Sequence, residues 1–131
     1  MDANVLLRHL TGEPPDMAMP ARQLLLDVEA GRQEVILEDV ILAEVVWTLR
    51  SLYRKSKVEI AAMLEPIIGL PGVINADKHA LLHSLSLFSR WNVDFADALL
   101  AAKALAGGDN LVCSFDRDFD RIPGVKRVEP A

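Results

Sequence analysis

Apolar positions along the chain follow two rhythms, long stretches at helical spacing and short runs of three or four residues. Val5–Leu10 is an apolar helical run that Gly12-Glu13-Pro14-Pro15 breaks. Met17–Glu29 sets Leu24, Leu25 and Val28 on one helical face, with Gly31 as its stop. Asp39 is placed to cap a long helix from Val40 to about Tyr53, apolar on all sides until Arg50. Ser56 caps Lys57–Ile68, and Asp77 caps Lys78–Trp91. Asp94 caps Phe95–Leu105, which Gly107-Gly108 ends. Val35–Leu37, Val73–Asn75, Leu111–Ser114 and Val125–Val128 are too short for helices and read as strands, Leu111–Ser114 as a buried one. Helices alternating with short strands predict an α/β fold, a parallel sheet with helices on both faces. No linker, repeat or low-complexity segment divides the chain, so residues 1–131 are expected to form a single domain.

Composition sharpens this picture. The chain is 51% hydrophobic, which is rich for a domain of 131 residues and implies that some apolar surface meets a partner. The helices of Ser56–Ile68 and Lys78–Trp91 carry more apolar residues than one buried face needs, so a homodimer is expected. No apolar run approaches the roughly 18 residues of a membrane span, and Asp2 and Arg8 interrupt any signal-peptide pattern. Cys113 is the one cysteine, so no internal disulfide forms and a cytoplasmic location is expected. Within an apolar strand, its thiol reads as structural rather than nucleophilic. A net charge of −5 argues against broad neutralisation of nucleic-acid phosphates. It leaves open acids that meet phosphate through a bound metal ion.

The chemistry lies in carboxylates set in apolar surroundings. Glu44 stands among Ile41, Leu42, Ala43, Val45, Val46 and Trp47, with no cation one turn away. In a helix buried on all sides such an acid needs a partner. A distant Arg would serve, as would exposure on a polar stripe, or a cation the sequence does not encode. Asp97 repeats the pattern among Phe95, Ala96, Ala98, Leu99 and Leu100, though it could simply favour the dipole of its helix. Asp94 reads first as an N-cap, Asp116 as the cap of a turn over Arg117–Arg121, and Asp2 alone as a solvated terminal acid. If Asp2, Glu44, Asp97 and Asp116 converge, they repel one another unless a positive ion lies between them. Oxygen donors of this kind select Mg²⁺ or Mn²⁺.

Other motifs carry less. Neither a phosphate-binding P-loop nor a dinucleotide-binding glycine pattern is present. His79 and His83 stand four apart on a helix without the HExxH glutamate, and read as solvated or capping groups. Arg50, Arg54, Lys55 and Lys57 cluster after the Glu44 helix, either as a solvated helix end or as a guide for a phosphate backbone.

Four stretches in order resemble the PIN-domain ribonucleases, in particular the VapC-type toxins of prokaryotic toxin–antitoxin pairs. They are Asp2-Ala3-Asn4-Val5-Leu6-Leu7-Arg8, Leu42-Ala43-Glu44-Val45-Val46-Trp47, Asp94-Phe95-Ala96-Asp97-Ala98-Leu99-Leu100-Ala101-Ala102 and Ser114-Phe115-Asp116-Arg117-Asp118-Phe119. The resemblance implies a three-layer α/β/α fold with a short central parallel sheet. It implies that Asp2, Glu44, Asp97 and Asp116 are the acidic metal-binding quartet, with Asn4 and Ser114 in support and Asp94 and Asp118 as extra acids. It further implies Mg²⁺- or Mn²⁺-dependent endonucleolytic cleavage of RNA, and silencing by a small antitoxin protein. One feature departs from the family pattern. The family's first acid ends a short apolar strand, whereas only Met1 precedes Asp2, so that strand is expected to be truncated or missing. Two other functions compete: a catalytically inert PIN-like binding module, and a different acidic-pocket phosphohydrolase or receiver-like domain.

Overall fold

Side-chain capping fixes the start of three of the six helices. The computed structural model describes residues 1–131. Helix α1 (Ala3–Thr11) starts two residues earlier than the apolar run, because the Asp2 carboxylate accepts from the Val5 amide at 3.1 Å. It stops at Gly12, which takes a left-handed φ of 71°. Helix α2 spans Pro15–Glu29, and α3 spans Asp39–Ser51. Helix α4 (Lys57–Ile68) opens with a reciprocal capping box between Ser56 and Glu59. The Asp77 carboxylate caps α5 (Lys78–Arg90) through the Ala80 amide, and α6 covers Phe95–Gly107.

Four short strands complete the chain: β1 (Val35–Ile36), β2 (Val73–Ile74), β3 (Leu111–Cys113) and β4 (Lys126–Val128). A single 3-10 turn, Arg117–Arg121, joins the last two. All pairing is parallel, with Val35 opposite Val73 and Val112 opposite Arg127. The α/β class with parallel strands is as the alternation implies. The strands hydrogen-bond in two separate pairs, β1–β2 and β3–β4, and no strand joins the pairs. On β1, the Val35 and Leu37 amides face β2, so the Ile36 carbonyl points to the free edge. There it accepts from the Met1 ammonium at 3.0 Å.

One apolar core ties these elements together. Leu6 of α1, Leu42 and Leu49 of α3, Ile60, Leu64 and Ile68 of α4, and Leu81 and Leu85 of α5 are fully enclosed in it. Gly72 is required where β2 begins: a Cβ there would lie 2.2 Å from the Gln33 carbonyl and 2.8 Å from that of Val28.

Four expectations need correction. Helix α3 is not buried all round. Leu42, Val45, Val46 and Leu49 face the core, while Val40, Glu44 and Trp47 lie exposed on the other side. Asp39 does not cap α3, because the cap position is Glu38. Asp39 instead accepts from Asn75 after β2 and pairs with Lys103 of α6, tying three elements together. Strand β3 is not a buried strand, since only Val112 faces inward and Leu111 and Cys113 are exposed. The apolar residues of α5 do exceed the need of one buried face, but the chain itself covers the excess. That helix packs between α4 and α6, so two of its faces are covered within the chain.

Candidate metal centre

Two pieces of backbone aim acids at one point. The first is the N-terminus of α6. Asp94 holds the cap position but makes no side-chain capping bond, and Asp97 follows in the first turn, where the helix dipole favours negative charge. Lys57 fixes the approach to this turn by donating to the Val93 carbonyl at 2.6 Å. The second is the turn after β3. The Ser114 amide donates to the Val128 carbonyl at 3.0 Å, which anchors the turn to β4. The Asp116 amide donates to the Ser114 hydroxyl at 2.9 Å, and the Asp118 amide donates to one Asp116 carboxylate oxygen at 2.8 Å. Asp116 thus caps the 3-10 turn with one oxygen and keeps the other free.

The carboxylates of Asp97, Asp116 and Asp118 converge, each offering an oxygen within 4.8 Å of the others. Asp97 is half-buried and no cation lies within ion-pairing range of it. Burial, and then the charges of Asp116, Asp94 and Asp118, push its carboxyl above the ordinary carboxylate range. Asp118 pairs with Arg121 at 2.8 Å, which offsets part of the negative charge. Three oxygen donors without a matching set of cations fit a hard divalent ion such as Mg²⁺ or Mn²⁺.

The other expected acids are not members of this group. Asp2 spends one oxygen on capping α1 and is exposed. Glu44 is also exposed, so the burial that drew attention to it does not hold. It shares a groove with Asp94, whose charge acts on Asp97. Asn4 is exposed on α1 and makes no side-chain hydrogen bond, whereas Ser114 orders the Asp116 turn as described. Asp118 was expected as a subsidiary acid and is a full member of the cluster.

Sequence reading missed Arg127. From β4 its guanidinium pairs with Asp120 at 3.0 Å and Glu129 at 2.7 Å, and donates to the Ser114 carbonyl at 3.3 Å. It therefore braces the turn that carries Asp116. No local signal in Lys126-Arg127-Val128 points to this role. Arg121 adds a second brace, donating at 2.8 Å to the Asn92 carbonyl before α6.

Among curated proteins none matches the chain significantly. The PIN domain family profile, which describes a nuclease-type fold, matches residues 1–125, nearly the whole chain, and agrees with the parallel strands and the converging acids. The chain therefore belongs to the PIN domain family.

Proposed function

We propose that the protein is a Mg²⁺- or Mn²⁺-dependent endoribonuclease and the toxin of a toxin–antitoxin pair. The observation that carries this reading is the convergence of Asp97, Asp116 and Asp118 on a PIN domain. In this reading those three acids hold the ion, and Asp2, Glu44 and Asp94 supply further negative charge around it. When bound, the ion activates water and neutralises charge on the phosphodiester. The chain's own residues prepare the ground for that step. The Ser114 hydroxyl holds the Asp116 main-chain amide, and the Asp118 amide holds one Asp116 carboxylate oxygen so that the other stays free. The first turn of α6 lends its positive dipole end to Asp97. Arg121 holds Asp118 and the Asn92 carbonyl together, keeping the 3-10 turn against the start of α6.

Partners follow from surface chemistry. Met19 and Leu26, two turns apart on one side of α2, are exposed, and apolar surface of this kind suits a protein partner. We assign it to the antitoxin or to a second copy of the chain in a homodimer. The test of the activity is cleavage of single-stranded RNA by purified protein with Mg²⁺ or Mn²⁺, with and without EDTA. Cleavage that survives exhaustive chelation refutes metal dependence. A second reading, an inert PIN-like binding module, is favoured by the fact that Asp2 and Glu44 are not members of the three-acid group. RNA binding without cleavage at saturating Mn²⁺ would select it.

A further inference from the structure

Beside the acid cluster lies an open groove of about 870 Å³ between the exposed side of α3 and the loop from α5 into α6. Its α3 wall carries Glu44, Trp47 and Arg50, successive positions one turn apart on the same side of the helix. At 1.5 Å per residue, Trp47 lies about 4.5 Å along the axis from each of the other two. The wall therefore reads acid, ring, cation. Trp47 is 69% exposed, so its indole is presented to whatever enters the groove rather than spent on the core. Lys57 enters from the α4 side, its ammonium 4.8 Å from the centre of the Phe88 ring.

Two cations line this groove. Neither Arg50 nor Lys57 pairs with a carboxylate. Arg50 donates only to the Lys55 carbonyl at 3.3 Å, and Lys57 to that of Val93. Both keep further donors free. They also repel each other: burial, and then the Arg50 charge, lower the Lys57 pKa, while Asp94 opposes the shift. An anion held by both would remove that repulsion. Glu44 and Asp94 also line the groove, and Asp94, whose charge acts on both Lys57 and Asp97, connects it to the metal centre.

We infer that this groove seats the RNA strand next to the cleaved bond, with one base stacked on Trp47 and the following phosphate held by Arg50 and Lys57. The inference rests on the ribonuclease reading for its substrate, but concerns residues that the reading does not use. Stacking on an aromatic side chain accepts any base, so Trp47 supplies affinity and register rather than sequence choice. Along this wall a flat aromatic surface stands beside a cation, which suits the alternation of base and phosphate in a nucleic-acid strand. An apolar peptide would leave Arg50 and Lys57 unanswered.

The test uses the intact protein and a short single-stranded RNA with 2′-O-methyl sugars, which resists cleavage. Binding is followed by anisotropy across a salt series. Trp47→Ala should weaken binding on the order of tenfold, and Trp47→Phe should restore most of it. Arg50→Gln should weaken binding severalfold and reduce the salt slope by about one phosphate's share. Arg54→Gln, outside the groove, should do neither. Trp91→Phe leaves Trp47 as the only tryptophan, because the chain has two, and its fluorescence should be quenched by the RNA. Unchanged binding in both Trp47→Ala and Arg50→Gln, or no quenching in Trp91→Phe, overturns the assignment. So does a dimer that dissociates on Trp47→Ala, since a second copy would then cover the ring. If the groove effects hold while Mn²⁺ supports no cleavage, the groove stands and the ribonuclease reading falls. Cleavage of natural RNA that is indifferent to Trp47 and Arg50 gives the reverse.

Discussion

Asp97→Asn in the metal-free protein should raise thermal stability rather than lower it. The side chain keeps its size and loses its charge. Asp97 has no ion pair to lose, and a neighbouring carboxylate oxygen lies within 4.8 Å. Two unit charges at that distance repel by about 0.9 kcal/mol in water and about 3.5 kcal/mol at the effective dielectric of a protein surface. Asp97 is partly solvated, so the lower figure is the better guide. Against it stands the lost attraction to the α6 dipole, about 0.3–1 kcal/mol. With Asp116 and Asp118 both acting, and Arg121 offsetting part of the latter, repulsion wins by about 1 kcal/mol. That is a rise in melting temperature of roughly 2–6 °C for a domain of this size. The pH dependence has a definite sign. The folded pKa of Asp97 is raised, so its ionised form costs stability above that pKa. The advantage of Asp97→Asn should be full at neutral pH. It should shrink as pH falls through the raised pKa and vanish by the unfolded value of about 4. Adding Mn²⁺ reverses the order, because an ion at a hundred times its dissociation constant stabilises the wild type by about 2.7 kcal/mol and the variant by much less. Calorimetric melts in EDTA and in Mn²⁺ measure all of this. An Asp97→Asn protein that melts below wild type in EDTA and gains equally from Mn²⁺ would refute the metal-site assignment.

Other expectations are simpler. Glu44→Gln should change stability by less than about 0.5 kcal/mol, since the residue is exposed, yet abolish RNA cleavage if Glu44 serves the centre; wild-type turnover would remove it from the site. Arg127→Ala should lower the melting temperature and weaken Mn²⁺ binding severalfold in titration calorimetry, because the Ser114 carbonyl loses its brace; unchanged Mn²⁺ affinity would show that the turn holds itself. Gly72→Ala should cost more than about 4 kcal/mol in chemical denaturation, because both neighbours that its Cβ meets closest are backbone carbonyls.

What the sequence disclosed and what it hid divide along the range of the interactions. Ser56, Asp77 and Gly12 act on residues within one turn, so their helices could be placed from neighbours alone. Asp97 was recognisable because no cation stands within a turn of it and none arrives in the fold. Glu44 looked buried because side-chain pattern alone does not reveal that one side of an apolar helix borders a groove. Asp39 was misread for the converse reason: its partners, Asn75 and Lys103, are far away in sequence. Arg127 could not be found at all, since its value lies in a carbonyl thirteen residues earlier. The division into two strand pairs was equally hidden, because one pairing joins segments two helices apart and the other spans a 3-10 turn.

That division has a thermodynamic consequence. The segment from Leu111 to Val128 contributes only Val112, Phe119 and Ile122 to the buried set, and shares no ladder with β1. It is thus able to detach as a small cooperative unit at lower free energy than the helices. It carries two of the three clustered acids, while Asp97 stays on α6. Every detachment then dismantles the ion site, and the apparent affinity is the intrinsic one scaled by the fraction of time the unit is docked. By linkage, ion binding must slow amide hydrogen exchange across Leu111–Val128 and leave the interior of α5 unchanged. The divalent ion becomes the clasp that fastens the C-terminal unit to the helical body.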